Sequence, residues 1–556
     1  MSARREARDG TAPVLDGHAL GIDDVVRLAR PGPGSRPARV TLDERAAARM
    51  ELGVRMRDEL LAGGTPIYGV STGFGGSADH QVSPRQAARI QHNLILYHLN
   101  GVGPWAPADV VRATLLIRAN TLARGDSGVR PLVVDRLLQH LAADVLPRVP
   151  ERGSLGASGD LVPLCYVAAA LLGEGEALTG EADGVDGADG VDGVDRAGGT
   201  VGPVAAAQRA AGLAPLELQA KEGLALINGT AFTTAFAALA VHDAGRVVTA
   251  AELTTALVCE ALTGNASHFA EFVHRVKPHP GQLAAARSVR RVLSGSRLTT
   301  TYEELVARAT PLDGRDHVRQ ERRIQDPYSL RCAPHVIGVL RDSLDWIGPW
   351  ITTEMNSSTD NPLFAVEEGR LHHGGNFYAG HVGQAMDALK VAVSNVADLL
   401  DRQLALMVDE RFSLGLPANL VPPGAEPGLH HGFKGMQIAA SAVTAEALKL
   451  AAPATVFSRS SEAHNQDKVS MATIAAREAR TVTELTRRVT AMCLLAAVQA
   501  VELRGVEKAG PAARRVHALI RERVPFTDRD RRMDHDIEYA AARIADGSVA
   551  RAAGIE

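Results

Sequence analysis

The sequence predicts a mainly α fold built around a bundle of long helices. Three observations carry this expectation. Met386, Leu389, Val393, Val396, Leu400, Leu404 and Met407 recur at three- and four-residue steps, forming one apolar stripe over several turns, with Asp387, Lys390, Asp398 and Arg402 off it. Similar stripes cover 439–452 and 472–501 with short connections, the pattern of helices that pack lengthwise. Strand-like runs are few and short.

In chain order, residues 1–40 are rich in Arg, Gly and Pro and read as a loosely held segment. A smaller N-terminal domain spans 41–205. It has helical patterns at 41–62, 85–99, 109–122 and 129–145, and a glycine-rich loop, TPIYGVSTGFGG, at 65–76. Residues 181–200, EADGVDGADGVDGVDRAGGT, form a degenerate Val-Asp-Gly repeat. It lacks the alternate-residue aspartates of a calcium-binding EF-hand loop, so a solvated flexible insertion is expected. A central bundle follows over 206–505, then a helical segment over 506–556.

Composition bounds the function. Across 556 residues, 46% are hydrophobic and 22% charged, and the net charge is −4, which leaves no basic excess for nucleic acid. Cys165, Cys259, Cys332 and Cys493 lie far apart with no C-x-x-C spacing, against a zinc site or disulfide framework and in favour of a reducing, cytoplasmic location. No apolar run follows the charged N-terminus as in a signal peptide. The longest apolar stretch, 232–262, is interrupted by His242, Asp243 and Arg246, so no membrane span is expected. His372-His373 and His430-His431 sit near loop glycines, and neighbouring residues do not share a helix face. Solvated histidines are expected there, with no metal.

Three glycine-rich stretches invite functional readings. GVSTG at 69–73 has the G-x-S-x-G pattern of a hydrolase nucleophile elbow, which would make Ser71 a nucleophile. FGGSADH behind it is a poor start for the helix that motif needs. GFGGSA at 73–78 has a loose dinucleotide fingerprint, but no acidic residue lies between Asp79 and Asp109 to bind a ribose, so no nucleotide is expected. GASGD at 156–160 is no elbow, because Asp160 stands where the second glycine belongs.

The stretch GSLGASGDLVPL closely resembles the signature of the aromatic amino acid ammonia-lyases and related aminomutases. The resemblance implies a fumarase/aspartase-like helical fold. It also implies that Ala157, Ser158 and Gly159 cyclise autocatalytically to 4-methylideneimidazole-5-one. The chemistry explains the residue types. The amide nitrogen of residue 159 attacks the carbonyl of residue 157, and glycine leaves that approach uncrowded. Ser158 loses its hydroxyl as water and leaves an exocyclic methylene. The product is an electrophile that no standard side chain offers.

Further stretches resemble the family in its order. IYGVSTGFG supplies Tyr68, the implied β-proton base, and KEGLALINGT supplies Asn228. QDPYSLRCAPHVIG supplies Gln325, Tyr328 and Arg331. NSSTDNPLF and GGNFYAGHV supply Asn356, Asn376 and Phe377, and HNQDKVSM supplies Gln466. Singly, each has a plainer reading: Asn228-Gly229 as a turn, Arg331 as a salt bridge, Tyr328 as core. Together they equip one reaction, loss of ammonia from an L-amino acid. Arg331 would grip the substrate carboxylate. Asn228, Tyr328 and Gln325 would orient that carboxylate and the ring carbonyl. Tyr68, with a free pKa of about 10, would need lowering or a concerted step.

The substrate ring is expected against Tyr97 and His98, a pair that matches none of the family's usual patterns and that suits a phenol. Gln466 stands where histidine lyases usually carry glutamate. The order of expectation is L-tyrosine (giving 4-coumarate), phenylalanine, then histidine (giving urocanate), with a 2,3-aminomutase as the alternative reaction. Other classes left open are a serine hydrolase using Ser71 and an inactive scaffold. The resemblance further implies a homotetramer with active sites shared between subunits.

Overall fold

The computed structural model describes residues 13–32, 35, 37–180, 199–424, 426 and 428–555. The start of the expected N-terminal segment and nearly all of the Val-Asp-Gly repeat lie outside these. The fold is mainly helical. Four helices dominate: Ala231–Ala261, Ala333–Met355, Gly380–Val408 and Ala472–Arg504. All seven residues of the stripe from Met386 to Met407 are fully buried, which is why this segment is helical: only a helix puts that spacing on one face.

By their internal contacts the described residues form two compact units, each assembled from separate stretches of chain. The first takes Met1–Leu239, Gly348–Met386 and Pro453–Arg477. The second takes Ala240–Ile347, Asp387–Ala452 and Glu478–Glu556.

In the first unit the helix Glu44–Ala62 starts where the Asp43 carboxylate accepts hydrogen bonds from the backbone N–H groups of Arg45 and Ala46. The helix Ala108–Ala123 is buried on every side from Val110 onward, so it is a core element and not an amphipathic surface helix. The strands are two to four residues long. Glu176–Thr179 pairs antiparallel with both Leu146–Pro147 and Thr200–Pro203. Pro150–Arg152 pairs antiparallel with Val102–Trp105, and this short ladder delivers the chain to Gly153 and the Ala-Ser-Gly stretch.

In the second unit the helical stripe holds a surprise. Lys390 lies off the apolar face by sequence, yet it is fully buried. Its ammonium donates to Glu478 Oε2 at 2.6 Å and to the Ala452 carbonyl at 2.7 Å, and it lies 3.0 Å from Asp387 Oδ1. Two carboxylates and a carbonyl replace the water this cation gives up. Among the described residues no helix is long and apolar enough to cross a membrane.

Replacing Lys390 by Met is expected to destabilise the fold by about 3 kcal/mol, the low end for a broken buried pair because Glu478 keeps some contact with water. Urea unfolding of the two proteins measures this, and a difference well under about 1 kcal/mol would show that the cluster contributes little.

Candidate active site

The chain between Gly153 and the helix Leu161–Leu171 is bent back on itself. Ser158 and Gly159 take consecutive left-handed conformations, with φ of 51° and 77°. An L-residue held there costs about 1 kcal/mol, so Ser158 is strained by its neighbours. The source of that constraint is the Asn228-Gly229 corner. The Asp160 N–H donates to the Gly229 carbonyl at 2.7 Å, and Gly159 bridges to Gly229. A Cβ on residue 159 would overlap that carbonyl, so glycine is required by packing as well as by φ. The Asn228 side-chain amide donates to the Ser158 carbonyl at a long 3.4 Å. Its own carbonyl oxygen, Oδ1, is buried with no hydrogen-bond partner.

Asp160 anchors the other side. Its carboxylate accepts from the Thr233 N–H at 2.7 Å, the Thr233 hydroxyl at 2.5 Å, the Thr473 hydroxyl at 2.9 Å and, weakly, the Ser154 hydroxyl at 3.4 Å. Burial pushes this carboxyl up, and the four donors work against that. The helices Leu161–Leu171 and Ala231–Ala261 both begin within two residues of this contact, so two partial positive charges of helix N-termini lie beside it.

The glycine-rich loop is a series of turns with one 3₁₀ turn, Gly75–Ser77. The Ser71 hydroxyl accepts from the Ile67 N–H and donates to the Thr65 carbonyl, and Ser71 is 3% exposed. It braces its own loop, in a setting that is neither strand nor helix, and does not stand at a nucleophile elbow. Gln91 ties the loop down by donating to the Gly69 carbonyl at 2.8 Å and accepting from the Leu224 N–H at 2.7 Å. The Tyr68 phenol oxygen accepts from the Gly75 N–H at 3.0 Å. Burial raises its pKa, the Gly75 N–H lowers it and the nearby Glu462 raises it, for a net rise. Burial thus outweighs the lowering by the Gly75 N–H.

Tyr97 and His98 follow the helix Ala87–Leu96, with ring centroids 4.3 Å apart. His98 Nδ1 lies 2.9 Å from the Leu94 carbonyl, which assigns the proton to Nδ1 and leaves Nε2 as an acceptor. Burial lowers the pKa of His98 and so favours its neutral form. Burial raises the pKa of the Tyr97 phenol, and Cys165, Tyr68 and Glu462 add to the rise.

Other expected residues divide. Asn356 uses its whole side-chain amide within the fold: Oδ1 accepts from the Leu20 N–H and Asn120, and Nδ2 donates to the Leu20 and Thr352 carbonyls. It is a structural clamp. Asn376 donates to the Ser358 carbonyl at 3.3 Å, and Phe377 is half-buried beside it in the chain. Gln466 closes a short turn with Ser461. Gln325, Tyr328 and Arg331 belong to the second unit. There the Arg331 guanidinium lies 4.4 Å over the Tyr328 ring and donates to the Asp326 carbonyl, while Tyr328 is 71% exposed. Tyr328 is therefore not core, and Arg331 makes a cation–π contact where a salt bridge was one reading.

Three features escaped sequence reasoning. Glu462 accepts from the Gly76 N–H at 2.9 Å and so reaches the loop of Tyr68. The hydroxyl cage of Asp160 gathers Ser154, Thr233 and Thr473 from three segments. Arg118, fully buried, backs the Asn228-Gly229 corner. Only Glu462, four residues before Gln466, left a local signal.

Residues 20–522 match the aromatic amino acid lyase family. The chain is 42% identical over 551 residues to a tyrosine ammonia-lyase of Cupriavidus metallidurans, covering 98% of both chains. It is 40% identical over 541 residues to a histidine ammonia-lyase of Gloeobacter violaceus, covering 97% of each. The structure aligns with that of a tyrosine aminomutase from Streptomyces globisporus with a TM-score of 0.88 and 36% identity, over 98% of each chain. The chain belongs to the aromatic amino acid lyase family and is an enzyme of the carbon–nitrogen lyase class.

One buried acid near the corner makes stability depend on pH. The Thr230 hydroxyl donates to Glu354 Oε1 at 2.6 Å, and burial first, then nearby Asp160, carry the carboxyl from 4.5 to about 7, with the Thr230 bond opposing. Below pH 4.5 folded and unfolded chains both hold this proton. Between 4.5 and 7 only the folded chain does, so stability falls as pH rises through that window. The loss amounts to about 3 kcal/mol and is complete above pH 7. Glu354→Gln is expected to flatten the dependence by that amount in denaturant unfolding at a series of pH values, and an unchanged slope would reject the assignment.

Proposed function

We propose that this enzyme removes ammonia from an aromatic L-amino acid without oxidation, L-tyrosine before phenylalanine, using 4-methylideneimidazole-5-one made from Ala157, Ser158 and Gly159. The observation that carries this is the contact of Asn228 with Ser158. The Ser158 carbonyl becomes the ring carbonyl on closure, and the Asn228 amide already points a donor at it. The left-handed turn at 158–159 and the absence of a side chain at 159 fit the same group. Once formed, the ring supplies an electrophile for the substrate amine.

The chain's own residues do the rest. The Asn228 amide favours negative charge on the Ser158 carbonyl oxygen. Tyr68 takes the β-proton. Burial holds its phenol above the usual value, which favours a concerted transfer over a standing phenolate, with the Gly75 N–H steadying the oxygen as charge develops. Arg331 holds the substrate carboxylate, with Tyr328 and Gln325 beside it. The exposure of Tyr328 supports assigning this segment to the active site of another copy in a homotetramer.

For the substrate ring, the bare Nε2 of a neutral His98 suits a phenolic O–H donor, and the neutral amide of Gln466 suits an uncharged ring. A site built for a hydroxyl rejects the analogue lacking it, because the acceptor is then left unpaired. Phe377 is assigned to the apolar side of the same ring. Histidine as substrate and 2,3-aminomutase chemistry are the competing readings, since relatives with those names match nearly as well.

The deciding experiment incubates the purified protein with Tyr, Phe and His separately, following the unsaturated acid by absorbance and any β-amino acid by chromatography. Tyrosine is expected to give the highest kcat/KM. A preference for phenylalanine would remove His98 from hydroxyl recognition, and a β-amino acid as main product would make the protein an aminomutase. Tyr68→Phe is expected to lower kcat by about 10²–10⁴ while the intact mass still lacks two waters. Near-normal turnover in that variant would end the base assignment.

A further inference from the structure

Ring closure at 157–159 demands that a peptide nitrogen be pressed toward a carbonyl carbon two residues back. Something must resist the recoil. Gly159 lies directly against Gly229, and a methyl at either position has no space. On the far side of Gly229 is the guanidinium of Arg118, a residue of the helix Ala108–Ala123. A Cβ on residue 229 would strike Arg118 Nη1 and the Thr359 carbonyl. Arg118 Nη2 donates to the Asn228 carbonyl at 2.8 Å and also to the Ala225 carbonyl, so one planar group ties the last turn of the helix Glu222–Ile227 to the corner that follows it. Its Nε is buried with no acceptor. A buried unpaired N–H is destabilising, and the fold keeps it with Nη2 committed to this corner and Nη1, beside Gly229, donating to the Thr121 and Thr359 hydroxyls at 3.3 and 3.5 Å.

Resting on the reading that the ring forms at all, we infer that Arg118 is a positioning residue for its formation: it braces the Asn228-Gly229 corner so that Gly159 cannot retreat. The chemistry it supports balances without any oxidant. The Gly159 nitrogen bonds to the Ala157 carbonyl carbon. The carbonyl oxygen leaves as water with the Gly159 and Ser158 N–H hydrogens, giving a carbon–nitrogen double bond. The Ser158 hydroxyl leaves as a second water with the Cα hydrogen, giving the methylene. Arg118 touches none of these atoms. It acts only through the corner.

The test follows water loss by intact mass during refolding of the full chain, with Arg118→Lys against wild type and against Arg57→Lys. Arg57 is an equally buried arginine that donates to the Gly128 and Ala220 carbonyls, away from the corner. A lysine cannot span two carbonyls with a rigid fork. Arg118→Lys is expected to lose its two waters at least about tenfold more slowly than wild type, which corresponds to about 1.4 kcal/mol on the barrier. Arg57→Lys is expected to melt lower yet lose them at the wild-type rate. If Arg118→Lys does not fold, Gly229→Ala, which drives a methyl against the same nitrogen, is measured by the same criterion. Wild-type kinetics of water loss in either folded variant overturns the inference. A wild-type protein that never loses two waters overturns instead the reading on which it rests.

Discussion

The contact on which the rest depends is between two backbones. Gly159 and Gly229 meet with no space for a methyl group, and the Asp160 N–H closes the junction on the Gly229 carbonyl. Neither segment would hold its shape alone. Ser158 is in a conformation that L-residues avoid, and Asn228 carries a buried oxygen without a partner. Each is tolerated because the surrounding packing leaves nowhere else to go. A turn under such compression is suited to chemistry on the peptide chain itself, where an ordinary loop would relax.

Charge around this junction is deeply buried and locally matched. Lys221 and Asp360, both essentially inaccessible to solvent, pair at 2.6 Å, and Asp360 and Asp160 favour the charge of Arg118 against the cost of its burial. Asp160 is satisfied by hydroxyls and an N–H and not by a cation. The result is a polar interior that is rigid because nearly every group has a fixed partner. Lys390 repeats the same logic in the second unit, with two carboxylates around one ammonium.

How much of this was legible in the sequence depends on the kind of pattern. The helix Gly380–Val408 was readable because its apolar spacing repeats for about six turns, and periodicity survives without knowledge of partners. Lys390 was not, since a charge off an apolar stripe ordinarily faces water, and only Asp387 of its two carboxylates lies on the same helix, while Glu478 comes from elsewhere on the chain. The Ala-Ser-Gly stretch was singled out by resemblance, because the match lies in one unbroken run of twelve residues, 153–164. Asn228 was found only by resemblance, and its plainer reading as part of a turn is also true of its backbone. Asn356 went the other way: its motif was recognised, but the amide is consumed by Leu20, Asn120 and Thr352. Arg118 and the hydroxyls around Asp160 have no periodic or local signature, because what defines them is the neighbour they meet after folding, and Glu462 offered only its closeness to Gln466.

The segment that carries Tyr97 and His98 stands apart from all of this. It continues from its own helix by backbone bonds to Asn93 and Ile95, the His98 imidazole is fixed by the Leu94 carbonyl, and Tyr97 is more than half exposed. Here an altered side chain disturbs little else, while around residues 159 and 229 even one added carbon is too many. On the proposed function, a lineage, or an engineer, seeking a different amino acid would have latitude at one place and almost none at the other, so that diversification of substrate and preservation of the proposed self-made reagent would proceed on separate parts of the same chain.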